Sequence, residues 1–179
     1  MKFWIVSASA IVAAIALALS GANEYLFFAG FVVLQAVVLA TGWNILGGYA
    51  GYVNFGVPGF VGVGAYTALA MHLLWEAPLL FQIIAGAALA GLLGLGVGLL
   101  TLRLRGIFFS ISTIAVVFIL EAIVMNSRFL GGATGIQLTR PNEVLFFDSY
   151  TRMLFVMMAF MAVIALSIAR YVQDSHIGQ

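Results

Sequence analysis

The sequence predicts an all-α fold: a polytopic transmembrane helical bundle of about six helices, at about 20 apolar residues per crossing, with a glycine-rich interrupted segment after the second. Three observations carry that expectation. Of 179 residues, 64% are apolar and only 7% charged, whereas a soluble domain carries roughly 25% charged residues. Mean hydropathy is +1.18. The apolar runs are also continuous, which excludes the roughly ten-residue alternating strands of a membrane barrel. Helices close their own hydrogen bonds, as hydrocarbon requires. A soluble enzyme or binding domain is ruled out. The net charge of +1 gives no electrostatic footprint for nucleic acid. With no cysteine, there is neither a disulfide framework nor a thiolate metal site.

The first helix is expected over residues 3–21. Lys2 before it and Ser20, Gly21 and Ala22 at its end resemble a cleavable signal peptide. Its apolar stretch is longer than such segments usually are, so an uncleaved first span is expected. Residues 25–75 carry no charged side chain, a run too long for one crossing. Residues 42–59 are glycine-rich and contain Asn44, Asn54 and Pro58, and the run is broken there. This gives helices over 25–46 and 58–75. Further helices are expected over 79–102, 106–126 and 150–171.

Positive charge sets the orientation. With the N-terminus inside, Lys2, Arg103, Arg105 and Arg170 lie in the cytoplasm, while Arg128, Arg140 and Arg152 lie outside with Glu24, Glu76, Glu143 and Asp148. The short turn bearing Arg103 and Arg105 decides for both termini inside, because short loops obey the rule best.

On the fourth helix Gly86, Ala90, Gly94 and Gly98 recur every four residues. Such a row lets backbones approach closely and is expected to form a helix–helix packing seam. Met153, Met157 and Met161 on the sixth helix read as packing filler. His72 and His176 fall on opposite sides of the membrane, so no shared metal site is expected.

An ionisable group within a span is a functional hypothesis by default. Glu121 lies about 22 Å along the fifth helix, in the outer third of a core about 30 Å thick. Thr113, Val117 and Glu121 share one face of that helix, with Ser110 below. Glu121 either lines a pathway or is a structural acid paired with Arg128 or Arg152, and spacing alone leaves both open. The segment holding Tyr49, Gly51, Asn54, Phe55, Gly56 and Pro58, continuing to Gly62 and Gly64, is free of charge. Non-helical backbone at membrane depth is tolerated where it is buried in protein or lines a cavity, and interrupted helices of transporters supply substrate pathways. These residues, with Thr113 and Glu121, are the candidate pathway. Gly131, Gly132, Thr134 and Gly135 form a second, outer glycine loop. The single lysine, Lys2, excludes an internal phosphate-binding loop ending in Gly-Lys-Ser/Thr. No side-chain set points to catalysis, and no cofactor is implied.

Several segments together resemble a known family. Trp43-Asn44-Ile45-Leu46-Gly47-Gly48-Tyr49-Ala50-Gly51, then Asn54-Phe55-Gly56, then Gly62-Val63-Gly64-Ala65-Tyr66 resemble the signature of branched-chain amino acid ABC transporter permeases. Residues 102–113, beginning Leu-Arg-Leu-Arg-Gly, resemble the second signature of the same family. Glu121 matches its acidic position, and Gly131-Gly132-Ala133-Thr134-Gly135 its outer glycine loop. The forms of these motifs are closer to the LivM-type subunit than to the LivH-type one, and urea-type permeases share much of the pattern. The resemblance covers roughly residues 23–179 and makes residues 1–179 a single transmembrane permease domain. It implies a bacterial inner-membrane importer: a second, LivH-type permease subunit, two cytoplasmic ATP-binding subunits and a periplasmic or extracellular amino-acid-binding protein, all surrounding a chain embedded in lipid. Two departures stand out. Val57 occupies a position where many members carry histidine, so no role of that histidine carries over. The chain also stops before the point at which the family places its cytoplasmic coupling helix, so the domain is expected to be incomplete at its C-terminus. Two other readings fit the same residues: an ion-coupled carrier or channel titrating at Glu121, and a structural membrane partner.

Overall fold

The computed structural model describes residues 2–20, 23–49, 51–101, 103–104, 106–136 and 149–175. Gly21, Ala22, Leu102, Arg105, Arg140, Glu143, Asp148 and His176 lie outside them. The described residues form six α-helices and no strand: α1 (Lys2–Leu19), α2 (Glu24–Asn44), α3 (Val57–Trp75), α4 (Leu79–Thr101), α5 (Ile107–Asn126) and α6 (Tyr150–Asp174). Each begins and ends within three residues of its sequence expectation. Five of them are long and apolar enough to cross a membrane, α2 being extended to Tyr49 by a π-helical turn over Ile45–Tyr49. This is a polytopic helical bundle.

Local chemistry sets the helix ends. Asn23 caps α2, its Oδ1 accepting the Tyr25 N–H at 3.1 Å, which satisfies one of the orphan donors of a helix start. Pro58 sits in the first turn of α3, where a missing N–H costs nothing. At the other end of α3, Glu76 adopts the left-handed conformation (φ 45°). There the Glu76 N–H reaches His72 O at 3.0 Å and the Ala77 N–H reaches Met71 O at 3.4 Å, the double closure of a helix C-terminus. The break after α2 is narrower than the glycine content predicts. Among the described residues of this stretch, those that leave helical geometry are 51–56. Gly47 and Gly48 remain in the π-helical turn, where an added Cβ would meet the Trp43 ring and the Asn44 side chain. These glycines make room for side chains of the preceding turn.

The chain divides into two compact units, residues 1–50 with 138–179, and residues 51–137. In the first unit α6 packs against α1 and α2. Its centre is Phe27, fully buried, with Ala18 and Phe155. The two phenyl rings meet edge to face at 5.7 Å, a favoured aromatic geometry. Gly30 admits the Phe155 ring, and the Arg152 guanidinium lies 5.2 Å over Phe27. Met153 is buried, and Met161 is exposed.

In the second unit α3 packs along α4, and both contact α5. Gly86 marks the closest backbone approach: a Cβ there would lie 2.9 Å from the Gly64 carbonyl oxygen of α3. The rest of the small-residue row is looser. A Cβ on Gly94 would make ordinary contact with Phe60, and one on Gly98 would meet nothing within 4 Å. Leu92, Leu95, Leu99 and Leu100 of α4 are all exposed, as expected for side chains whose solvent is hydrocarbon. Gly86→Leu is therefore expected to destabilise the protein in detergent by roughly 1–3 kcal/mol, the usual cost of overpacking. Gly98→Leu is expected to shift it by less than about 0.5 kcal/mol. Thermal unfolding of both variants measures the contrast, and equal losses would show that the whole row forms the seam.

Candidate functional site

Backbone outside a helix must find partners in an apolar setting. Residues 51–56 find them on α5. The Thr113 hydroxyl accepts the Phe55 N–H at 3.1 Å and donates to its own helix at Ser110 O, 2.8 Å. Ser110 Oγ donates to Val53 O at 2.9 Å. Asn54 closes the turn from within, its Oδ1 accepting the Gly56 N–H at 2.7 Å. The Tyr52 ring tilts against Phe109 at 4.9 Å. Thr113 is 2% exposed, so its hydroxyl serves the segment and not solvent. Gly56 is held by closeness: a Cβ there would crowd Asn54 Oδ1 at 2.9 Å and Phe60 at 3.3 Å.

Beyond this junction the same unit holds a cavity of about 770 Å³, within the range of small-molecule sites. One wall is α3, which presents Pro58, Gly59, Gly62, Tyr66, Thr67 and Ala70, residues recurring every three or four along one helical face. The facing wall is α5, with Val117, Leu120, Glu121 and Val124. Gly59 lets the walls meet: its Cβ position lies 3.0 Å from Leu120 and 3.4 Å from Val117.

The outer loop adds Leu130, Gly132, Thr134 and Gly135 to the lining, and Leu89 of α4 joins them. It consists of two short 3-10 turns, Arg128–Leu130 and Gly132–Thr134. Gly131, Gly132 and Gly135 have φ of 80°, 53° and 69°, a region costly to residues with a Cβ. The Gly132 N–H bonds back to Ser127 O at 3.1 Å, and Thr134 Oγ1 donates to Gly131 O at 2.8 Å. The glycines fold the chain back over the end of α5.

The candidate pathway residues thus separate into groups. Pro58, Gly62 and Glu121 line the cavity, as do Gly132, Thr134 and Gly135. Asn54, Phe55, Gly56 and Thr113 build the junction with α5. Gly64 packs toward Gly86, and Gly51 is exposed with φ 72°. Tyr49 ends the π-helical turn and belongs to the first unit. Among the described residues of the second unit Glu121 has no ion pair and no hydrogen bond, with Arg128 or any other. An ion pair between Arg170 and Asp174, at 3.1 Å, lies on α6.

The family model described as the branched-chain amino acid transport system permease component matches residues 25–179. The chain belongs to that family. No curated protein and no solved structure matches it. It is accordingly a multi-pass membrane permease component, and the cavity must be judged as part of a transport protein. The cavity lining of this permease also includes residues outside the candidate pathway set, among them Tyr66, Thr67 and Leu130. For Tyr66 a signal was available, because residues 59, 62, 66 and 70 repeat at helical spacing behind Pro58. Leu130 carried no such signal.

Thr113→Val should leave the Phe55 N–H without its acceptor, at a cost of roughly 1–3 kcal/mol. Hydrogen exchange across residues 51–56 is expected to accelerate in Thr113→Val and to stay near the wild-type rate in Thr113→Ser. Equal protection in the valine variant would mean that the junction is held by packing alone.

Proposed function

We propose that the chain is a membrane-spanning permease subunit of an ABC importer for branched-chain or related small amino acids, and that the cavity between α3 and α5 is part of its translocation pathway. The observation that carries this reading is the convergence in one cavity of the Gly-rich start of α3 with Glu121 and the outer glycine loop that follows it, two stretches far apart in sequence, in a member of a transport family. The walls are mainly apolar with few polar groups, the usual character of a small-molecule site. Energy comes from outside the chain: two cytoplasmic ATP-binding subunits hydrolyse ATP, a second, LivH-type permease subunit completes the pathway, and a periplasmic or extracellular binding protein delivers the amino acid. The chain sits in a bacterial cytoplasmic membrane, N-terminus inside, following the basic turn at Arg103 and Arg105. It performs no catalysis of its own.

The test is uptake of radiolabelled L-leucine by the assembled transporter in proteoliposomes, with the binding protein outside and ATP inside. Gly62→Trp, which fills the cavity from a position whose Cβ meets nothing within 4 Å, is expected to abolish uptake at unchanged protein level. Asn54→Leu, which removes the acceptor for the Gly56 N–H, is expected to reduce it strongly. Wild-type uptake in both variants would overturn the pathway assignment. Uptake driven by a proton or sodium gradient without ATP-binding subunits would overturn the importer assignment.

A further inference from the structure

The cavity of the second unit is electrically one-sided. Glu121 is the only acidic residue of its lining, and no arginine, lysine or histidine joins it there among the described residues. The Glu121 carboxylate accepts no hydrogen bond and makes no ion pair among them. It stands on α5 with Val117, Leu120 and Val124, four side chains of one helical face. Across from them Tyr66 brings a hydroxyl that likewise has no hydrogen-bond partner among the described residues.

A carboxylate beside aliphatic walls feels a lower dielectric than one in water, so its attraction for a cation is larger and its repulsion of an anion equally so. Charge-assisted N–H to carboxylate hydrogen bonds are among the strong ones. The walls supply the complementary half, since leucine, isoleucine and valine side chains on the protein match an aliphatic side chain on a solute. We infer that Glu121 is a specificity-determining residue of the pathway. Its carboxylate accepts hydrogen bonds from the ammonium group of an amino acid while the aliphatic wall takes the side chain and Tyr66 donates toward the far, anionic end. This deepens the pathway reading above and rests on it. Solutes with an ammonium group are favoured, deaminated acids of the same skeleton are repelled, and an uncharged amide such as urea gains no ionic contact.

The test separates the two layers. The permease is placed in phosphatidylcholine nanodiscs, empty nanodiscs serving as the blank, and binding of isoamylamine, isoamyl alcohol and isocaproate is read by saturation-transfer NMR. These probes share a branched skeleton and differ in charge. The wild type is expected to prefer the amine over the alcohol by roughly tenfold to a hundredfold, the range for a hydrogen bond to a charged group, with isocaproate the weakest. Glu121→Gln is expected to bring amine and alcohol to within about threefold while alcohol binding, the check on folding, stays as in the wild type. Glu121→Asp is expected to keep the preference. The inference is overturned if the wild type does not distinguish amine from alcohol, or if the preference survives in Glu121→Gln. Gly62→Trp reports on the reading beneath it. Loss of all three probes in that variant supports the cavity as the binding place, and unchanged binding of all three overturns the pathway reading and this inference with it.

Discussion

Everything in the second unit depends on how a chain of this composition satisfies the backbone it unwinds. For residues 51–56 the i to i−4 ladder is absent, and each amide left bare in hydrocarbon would cost several kcal/mol. Two hydroxyls of α5 provide the answer, Thr113 for the Phe55 N–H and Ser110 for the Val53 carbonyl. Because Thr113 and Ser110 are also anchored in their own helix, the segment is fixed to α5 rather than merely near it. That fixes where α3 begins, with Pro58 in its first turn, and hence which face of α3 is turned to α5.

The cavity follows from that placement. Small residues on α3, Gly59 and Gly62, leave space where larger ones would fill it, and Gly59 allows contact with Val117 and Leu120 at the near end. At the other end a loop whose positive φ favours glycine at three of its positions turns back over α5. Glu121, an exposed residue of α5, thereby stands at the largely apolar wall of this cavity. The Gly86–Gly64 approach holds the other side of α3 against α4, so the helix that forms one wall is fixed on both flanks.

Much of this could be read before the structure, and the reasons for success and failure are specific. Helix positions were legible because in a chain with so few charges each polar cluster marks a span end. The Thr113–Val117–Glu121 face was legible because helical spacing alone determines it. The extent of the break after α2 was not, since Gly47 and Gly48 serve Trp43 and Asn44 and leave the backbone helical. Nor could spacing distinguish Gly86 from Gly98. A small-residue row names the face that packs but not the point at which another helix crosses it, and only Gly86 meets backbone. Tyr66 shares helical spacing with Gly59, Gly62 and Ala70, but an aromatic side chain in an apolar helix shows no polar role until the opposite wall is known. The motif resemblance and the family match agree on a branched-chain amino acid permease, while the roles of individual residues rest on the geometry.

If the space between α3 and α5 is a pathway, water must reach it while the lipid faces stay dry. The absence of cysteine from the sequence makes this directly measurable. Single substitutions Val63→Cys and Val117→Cys, in the cavity lining, are to be compared with Leu99→Cys on the exposed flank of α4 for reaction with a membrane-impermeant thiol reagent in the assembled transporter. The account predicts labelling at positions 63 and 117, slowed by saturating L-leucine with its binding protein, and none at 99. Positions 63 and 117 as unreactive as 99 would contradict it.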